Sequence, residues 1–429
     1  MKRISLAALC LIMLLFSGCK KQTDSSNTPS LFPFYSDSVR DAETPSQSSE
    51  SDSSATGRAI EADKDEQAAA VKLDGEAFFP TDRETLYSYA TLGSRSQQAY
   101  KIIVTAANEM TTGLIDLGIW QGDYTTEFSV AYNAVRNDWP ELFWLPSSYV
   151  ISGTTTAKGT RVMVGFEYIG KGMYNHYLVS KPQRDEMVQQ LEGKIAKIIN
   201  AAPKSEGPQK TQQYLHDVLC EEIDYTDSGA NIRNVYGALV EGRAVCEGYA
   251  RAFQLLCRRV GIQCDLICGE SQGEPHMWNV VRYGNGWCHV DVTWDDQEEI
   301  ISYLYYNLSD RQIAQTHDIA PHFTAAVADG NYNYNDYNCL TEEYGYFYRN
   351  DCILSAKGDF VQTAARGIRQ SAKSGRKYAQ FIFSNAAEKN DFTASFNRNY
   401  ANIQKSLKAY SVTLEKAQTI GDSIVFFFH

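Results

Sequence analysis

A thiol, an imidazole and a carboxylate follow one another along a single stretch of this chain: Cys246 in GRAVCEGYARAF, His276 in HMWNVV and Asp291 in GWCHVDVTWDD. Together these groups can carry out acyl transfer. The thiolate attacks a carbonyl carbon, the imidazole moves the proton, and the carboxylate holds the ring in one tautomer and supports its positive charge. Taken alone, a cysteine on an apolar helical face is a packing residue, because unpaired cysteine behaves as a small hydrophobe. The chemistry therefore depends on elements able to bring the three side chains together.

Cys246, Ala250, Phe253, Cys257 and Val260 recur at spacings of four and three, which is one face of a helix. Cys246 falls in the first turn, where unpaired amides and the positive end of the helix dipole favour a thiolate and can hold an oxyanion. Glu247 would oppose this if its carboxylate turned inward. Gly248 weakens a helix by roughly 1 kcal/mol relative to alanine, so its presence implies that something approaches closely.

His276 opens an alternating run that turns at YGNG and resumes as WCHVDVTW, a hairpin pattern. A two- or four-residue loop places residues of opposite parity on one face, and His276 and Asp291 meet that condition. With the loop centred between Tyr283 and Gly284 they are directly opposed; with Gly284 and Asn285 at the turn they lie diagonally, still within reach. A three-residue loop would separate them. His289 shares a face with Asp291, roughly 6.6 Å along the strand, and is a secondary candidate at the site edge; cross-strand geometry favours His276 as the base. The run Asp295, Asp296, Glu298 and Glu299 is expected to form a solvated rim with some attraction for amines.

These three blocks, with YLYYNLSD trailing, resemble the bacterial transglutaminase-like superfamily over Gln212 to Asp310. The resemblance implies a papain-like α+β core in which the cysteine heads a helix packed on an antiparallel sheet that carries the histidine and the aspartate. It implies the roles of nucleophile, base and orienter for Cys246, His276 and Asp291. Cys288 stands where relatives often carry an aromatic, which leaves the triad untouched. Members of the superfamily hydrolyse peptide or amide bonds, cross-link glutamine to amines, or have lost activity. An exported cysteine acyl-transfer enzyme and a non-catalytic binding or scaffold module both remain open. No cofactor and no metal is expected, since Cys257, Cys264 and Cys268 fit no zinc spacing.

The rest of the chain bears on where such chemistry is delivered. With 429 residues, 43% apolar and 12% aromatic, it has room for two or three domains with real cores. A net charge of -12 argues against a nucleic-acid partner, which would require a basic footprint. Lys2 and Arg3 precede an apolar run from Ile4 to Phe16, shorter than the roughly 20 residues of a bilayer span but suited to a signal h-region. Ser17, Gly18 and Cys19 resemble the lipobox of bacterial lipoproteins, which implies lipidation of Cys19; Phe16 departs from the usual aliphatic residue. The expected location is the cell envelope outside the cytoplasm, with membrane contact through the lipid alone. A protein, a peptide or a peptidoglycan peptide is the expected substrate. Of ten cysteines, eight remain once Cys10 and Cys19 are set aside. If Cys246 stays free, an odd number is left, and buried inert thiols account for most.

The expected divisions are a signal peptide at 1–18, a disordered tether at 19–72 with a reach of roughly 40 Å, an N-terminal α+β region at 73–200, the core at 201–315 and a small C-terminal α/β or α+β domain at 316–429. Helices are expected over Asp82 to Ile115, Thr126 to Asp138, Pro182 to Ile199, Thr211 to Glu222, Asp359 to Ser374 and Tyr400 to Tyr410. Strands are expected at Val150 to Thr156, Arg161 to Tyr168, AQFIFS and IVFFFH. Asn137, Asp138 and Trp139 with Pro140 are expected to fix a turn, and DGNYNYNDYN to form a loop.

Overall fold

The computed structural model describes residues 57–59, 71–73, 75, 86–167, 177–319, 337–355 and 359–429. The expected signal peptide at 1–18, Cys19, most of the tether and the stretch from Asp329 to Asp336 lie outside them. The mixed α and β character expected from sequence is present throughout. The chain divides into two compact units, one within 29–293 and 309–340, the other including 294–308 and 341–429.

In the first unit, α1 (Ser94–Glu109) and α2 (Tyr124–Asp138) accompany a sheet in the order β1 (Gly57–Ala59), β3 (Ser148–Thr156), β4 (Gly159–Glu167), β2 (Ile115–Trp120). Phe128 and Tyr132 of α2 pack their rings on Tyr149 of β3 at centroid distances of 4.8 and 4.9 Å. The helix expected to reach Ile115 stops at Glu109, where Met110 turns left-handed at φ 53°. Strand β2 follows, unexpected from sequence. A bulge between Asp116 and Gly118, with Gly118 at φ 88°, breaks the alternation that would have announced it.

Two stretches of the expected tether are structured. Residues 57–59 run parallel to β3, with Arg58 opposite Val150, and Val71 exchanges main-chain hydrogen bonds of 2.8 and 3.0 Å with Leu114 and Asp116. A sheet edge recruits main chain, which composition does not record. The expected turn is present after α2, where the Leu142 amide donates to the Trp139 carbonyl at 3.0 Å, but the buried Asp138 serves a distant segment, accepting from the amides of Ser88 and Tyr89 at 3.1 and 2.9 Å and from the Tyr100 hydroxyl at 2.9 Å.

The same unit contains α3 (Lys181–Ala201), α4 (Pro208–Glu222) and α5 (Cys246–Arg259) with four antiparallel strands. Their order is β7 (Gly286–Val290), β6 (Glu274–Tyr283), β5 (Cys264–Ser271), β8 (His317–Ile319). Helix α5 packs against β5 and β6. Every residue from Cys246 to Cys257 is buried, more than the single apolar stripe accounts for. The polar side of α5 is covered because its charges find partners in the N-terminal region. Arg258 donates to the Asp138 carbonyl at 2.7 Å, Arg251 donates to the Arg136 carbonyl, and Glu247 pairs with Arg136 at 3.5 Å. A domain boundary at 200/201 is therefore not observed.

The second unit also revises the expected boundaries, since 294–308 belongs with the C-terminal residues rather than with the core. Tyr303 stacks on Tyr346 with centroids 3.8 Å apart, its amide donates to Gln380 at 3.1 Å, and Ile300 clusters with Val425 and Phe427. Asp295, expected on a solvated rim, is buried and accepts from the Tyr305 amide at 3.0 Å, whereas Glu298 and Glu299 are exposed. The C-terminal sheet runs in the order 353–354, 378–383, 423–428, 414–420, flanked by helices Phe360–Lys373 and Phe396–Leu407, close to the expected elements. Among the described residues, no helix is long and apolar enough to cross a membrane.

Candidate active site

Cys246 is the first residue of α5, delivered by a short parallel pairing of 224–225 with 243–244 and by Gly242 at φ 67°. Val245 occupies the cap position in extended conformation and supplies no side-chain cap. The Gly248 amide donates to the Val245 carbonyl at 2.9 Å, and the Cys246 and Glu247 amides ahead of it meet no capping side chain from residue 245. The close neighbour implied by Gly248 is the chain itself: a Cβ there would meet the Ile232 carbonyl oxygen at 2.5 Å and the Ala244 methyl at 2.7 Å. That carbonyl accepts from the Val245 amide at 3.0 Å, so the glycine lets the 232 loop clamp the start of the helix. Glu247 is turned away from the thiol. Its carboxylate accepts from Arg251 at 3.0 Å and lies 3.5 Å from both Arg136 and Arg233. Burial opposes its charge, but the three guanidiniums win and hold the carboxyl below its ordinary range.

The hairpin has Gly284 and Asn285 at its turn, Gly284 at φ 53°, and the register pairs Tyr283 with Gly286 and Val280 with His289. This is the diagonal arrangement of the two expected from parity. His276 Nε2 lies 2.6 Å from Asp291 Oδ2, and both side chains are buried. The Cys246 thiol, 8% exposed, is hydrogen-bonded to the same ring. With Nε2 committed to Asp291, the nitrogen that serves the thiol is Nδ1. Burial works against the charge on His276, but Asp291 and the thiol raise it to about 10. Burial likewise opposes the Asp291 carboxylate, which the His276 charge and hydrogen bonds from His276 and His317 hold well below the usual range. An imidazolium and a carboxylate thus face each other out of water.

His289, the secondary candidate, is brought near but not to the thiol. Its Nδ1 accepts from the Trp278 indole N–H at 3.0 Å, and its Nε2 lies 3.0 Å from Asp310. The indole fixes the tautomer: Nε2 carries the proton and donates it. Burial holds this ring below its ordinary value, against the pull of Asp310.

Two trios could in principle hold a cation, His276, Asp291 and His317, and His289, Asp310 and Cys339. In the second, a metal on Nε2 would have to displace the proton that the Trp278 contact places there. In the first, His276 and His317 both direct Nε2 at the same Asp291 oxygen, at 2.6 and 3.0 Å, and Thr316 Oγ lies 2.8 Å from His317 Nδ1. Each trio is joined as a hydrogen-bond chain among its own members.

Residue-level reasoning missed three groups. Trp278 stacks on His276 at 5.9 Å and 20°, Tyr225 stands 61% exposed beside Cys246 and stacks on Tyr249 at 6.5 Å, and His317 shares Asp291. Trp278 was legible from parity, since it lies on the His276 face. The other two depend on long-range pairing without a local signal. The eight described cysteines are thiols outside any disulfide, seven of them buried; burial pushes Cys352 up to about 12.

Residues 194–292 match the transglutaminase-like superfamily. Kyphoscoliosis peptidase of Homo sapiens and that of Mus musculus are each 29% identical over an alignment of 93 residues, with 18% of this chain and 14% of theirs covered. The chain therefore spans about a seventh of those relatives. Among solved structures, a TGase is 10% identical, covering 34% of this chain and 50% of that one at a TM-score of 0.23. A protein from Cytophaga hutchinsonii, described as a candidate cysteine protease, is 15% identical, covering 33% and 61% at a TM-score of 0.21.

Proposed function

Starting from a transglutaminase-like domain over residues 194–292, we propose that this chain is a cysteine-dependent acyl-transfer enzyme acting on peptide or protein amides. The observation that carries the reading is the buried relay from Cys246 through His276 to Asp291, closed by the 2.6 Å contact between His276 and Asp291. Cys246 attacks the amide carbon and the first-turn amides of α5 receive the oxyanion. His276, as imidazolium, protonates the departing amine, and the acyl group stays on sulfur as a thioester. In the second half, His276 takes a proton from water or from an incoming amine, and the thioester gives an acid or a new amide. Asp291 keeps the ring in the tautomer and orientation both halves need.

The test is to incubate the full chain with a glutamine-containing peptide, with and without a fluorescent primary amine, following ammonia release and adduct mass. Release or adduct that disappears in Cys246→Ala supports the reading. Turnover that persists in that variant, or none beyond Cys246→Ala with any amide probe tried, sinks it in favour of a binding module. Acid product without amine adduct assigns hydrolysis; adduct assigns cross-linking.

The same proposal places the enzyme in the cell envelope, tethered through a lipid on Cys19. The support is the lysine and arginine, apolar run and Ser-Gly-Cys ending at residues 2–19. Protein, peptide and peptidoglycan-peptide substrates are the accessible classes there. Metabolic labelling with a radioactive fatty acid, lost in Cys19→Ala, would establish the anchor, and unlabelled wild-type chain would reject it.

A further inference from the structure

We propose that His317 is a positioning residue for this site, a second N–H donor that pins the Asp291 carboxylate against the His276 ring. The inference rests on the acyl-transfer reading above. His276 Nε2 and His317 Nε2 converge on the same oxygen, Asp291 Oδ2, at 2.6 and 3.0 Å. His317 is fully buried, and its other nitrogen is taken by the Thr316 hydroxyl at 2.8 Å. The Asp291 carboxylate can only accept, so His317 Nε2 carries a proton and donates it, while Thr316 Oγ, which also reaches the Ile313 carbonyl at 3.5 Å, holds the ring by its other nitrogen. The ring lies 5.3 Å from His276 and sets its edge against Trp278 at 4.9 Å and 66°.

The backbone is arranged for this contact. In β8, His317 pairs with Ser271 and Ile319 with Gly269, while Gly269 also pairs with His276 on its other side. The Ser271 hydroxyl donates to the Thr316 carbonyl at 3.0 Å, fixing the strand start. Gly269 is bare where the strands crowd: a Cβ there would meet the Asp318 carbonyl oxygen at 2.1 Å and the Trp278 ring at 2.8 Å. A buried carboxylate needs every donor it can get. Without the His317 donor, Asp291 would take a proton at higher pH and swing more freely, and the imidazolium would lose its support from the acid side. His317 touches neither thiol nor substrate in this role; it acts through Asp291.

The probe is iodoacetamide on the full chain, with alkylation of Cys246 timed by mass spectrometry from pH 4 to 10. His317→Leu is expected to slow alkylation about tenfold at pH 6 and less than twofold at pH 9, because the acid limb of the profile moves up by about one unit. His317→Gln, which keeps an N–H of similar reach, should return the rate to within about threefold. Thr316→Val, which removes the Oγ holding the ring at Nδ1, should move the limb in the same direction by less, and carries the test with His317→Gln if circular dichroism shows His317→Leu unfolded. A profile unchanged in all three variants, or a slowing equal at every pH, overturns the inference while His276→Ala still slows the thiol. If His276→Ala is silent as well, the acyl-transfer reading falls and this inference falls with it.

Discussion

The hairpin carries two histidine–carboxylate pairs on neighbouring ground, and they have been put to opposite uses. His276 with Asp291 and His289 with Asp310 are both close contacts, at 2.6 and 3.0 Å, and both rings are buried. Yet His276 is raised to about 10 and His289 is lowered. Two differences decide it. Asp291 is wholly buried, so its field reaches the ring undiluted, whereas the Asp310 side chain is 37% exposed and partly screened by water. The other ring nitrogen faces a thiol in one case and an indole N–H in the other, and a ring that already accepts a proton donor cannot easily take up a second proton. A histidine beside a carboxylate is thus held charged or neutral according to what its far nitrogen meets.

The contrast is broken most severely at its functional half. His276→Ala should lower turnover at least about a thousandfold, while His289→Ala should keep the rate per folded molecule within about threefold; equal losses in steady-state assays would erase the distinction. His289→Ala should instead reduce stability by about 2–4 kcal/mol, from the cavity and the orphaned indole, read as a lower urea midpoint. An unchanged midpoint would contradict a structural role for His289. The pH dependence separates the pairs again. Because His276 is raised above its ordinary 6.5 to about 10, its contribution to stability is complete below pH 6.5 and is lost as pH rises through about 10. The depressed Asp291 works on the other side: its contribution is present above the ordinary carboxylate range and lost in acid. Wild type should therefore lose stability between about pH 6.5 and about pH 10 relative to His276→Gln, and the alkaline limb of turnover should lie near pH 10. Parallel urea midpoints across that range would refute the assignment. The smallest effect is Trp278→Phe, expected to cost about 1 kcal/mol and to release the His289 tautomer, visible as a change in its ring nitrogen shifts; identical shifts would mean the indole does not set the proton.

What the residues disclosed in advance was the local part. Periodicity placed Cys246 at a helix start, and hairpin parity put His276 and Asp291 on one face for either of two turn positions, because a period of two leaves few registers to choose from; the structure selects Gly284 and Asn285. Glu247 could not be oriented, since its three arginine partners come from residues 136, 233 and 251. His317 was invisible for the same reason: β8 reaches the site only by pairing across β5. Strand β2 was hidden by its bulge, and the attachment of 294–308 to the C-terminal unit by tyrosines that read equally well as core.

Val245 heads α5 without a side-chain cap, at a position where serine, aspartate or asparagine would be worth about 1 kcal/mol. That makes residue 245 a point where thermal robustness and reactivity compete. An engineer selecting for melting temperature alone would be drawn to Val245→Asp, and would recover a hardier protein whose new oxygen occupies the amides that the proposed reaction offers to its oxyanion. A library screened at high temperature should therefore enrich polar residues at 245, whereas one screened for turnover should purge them.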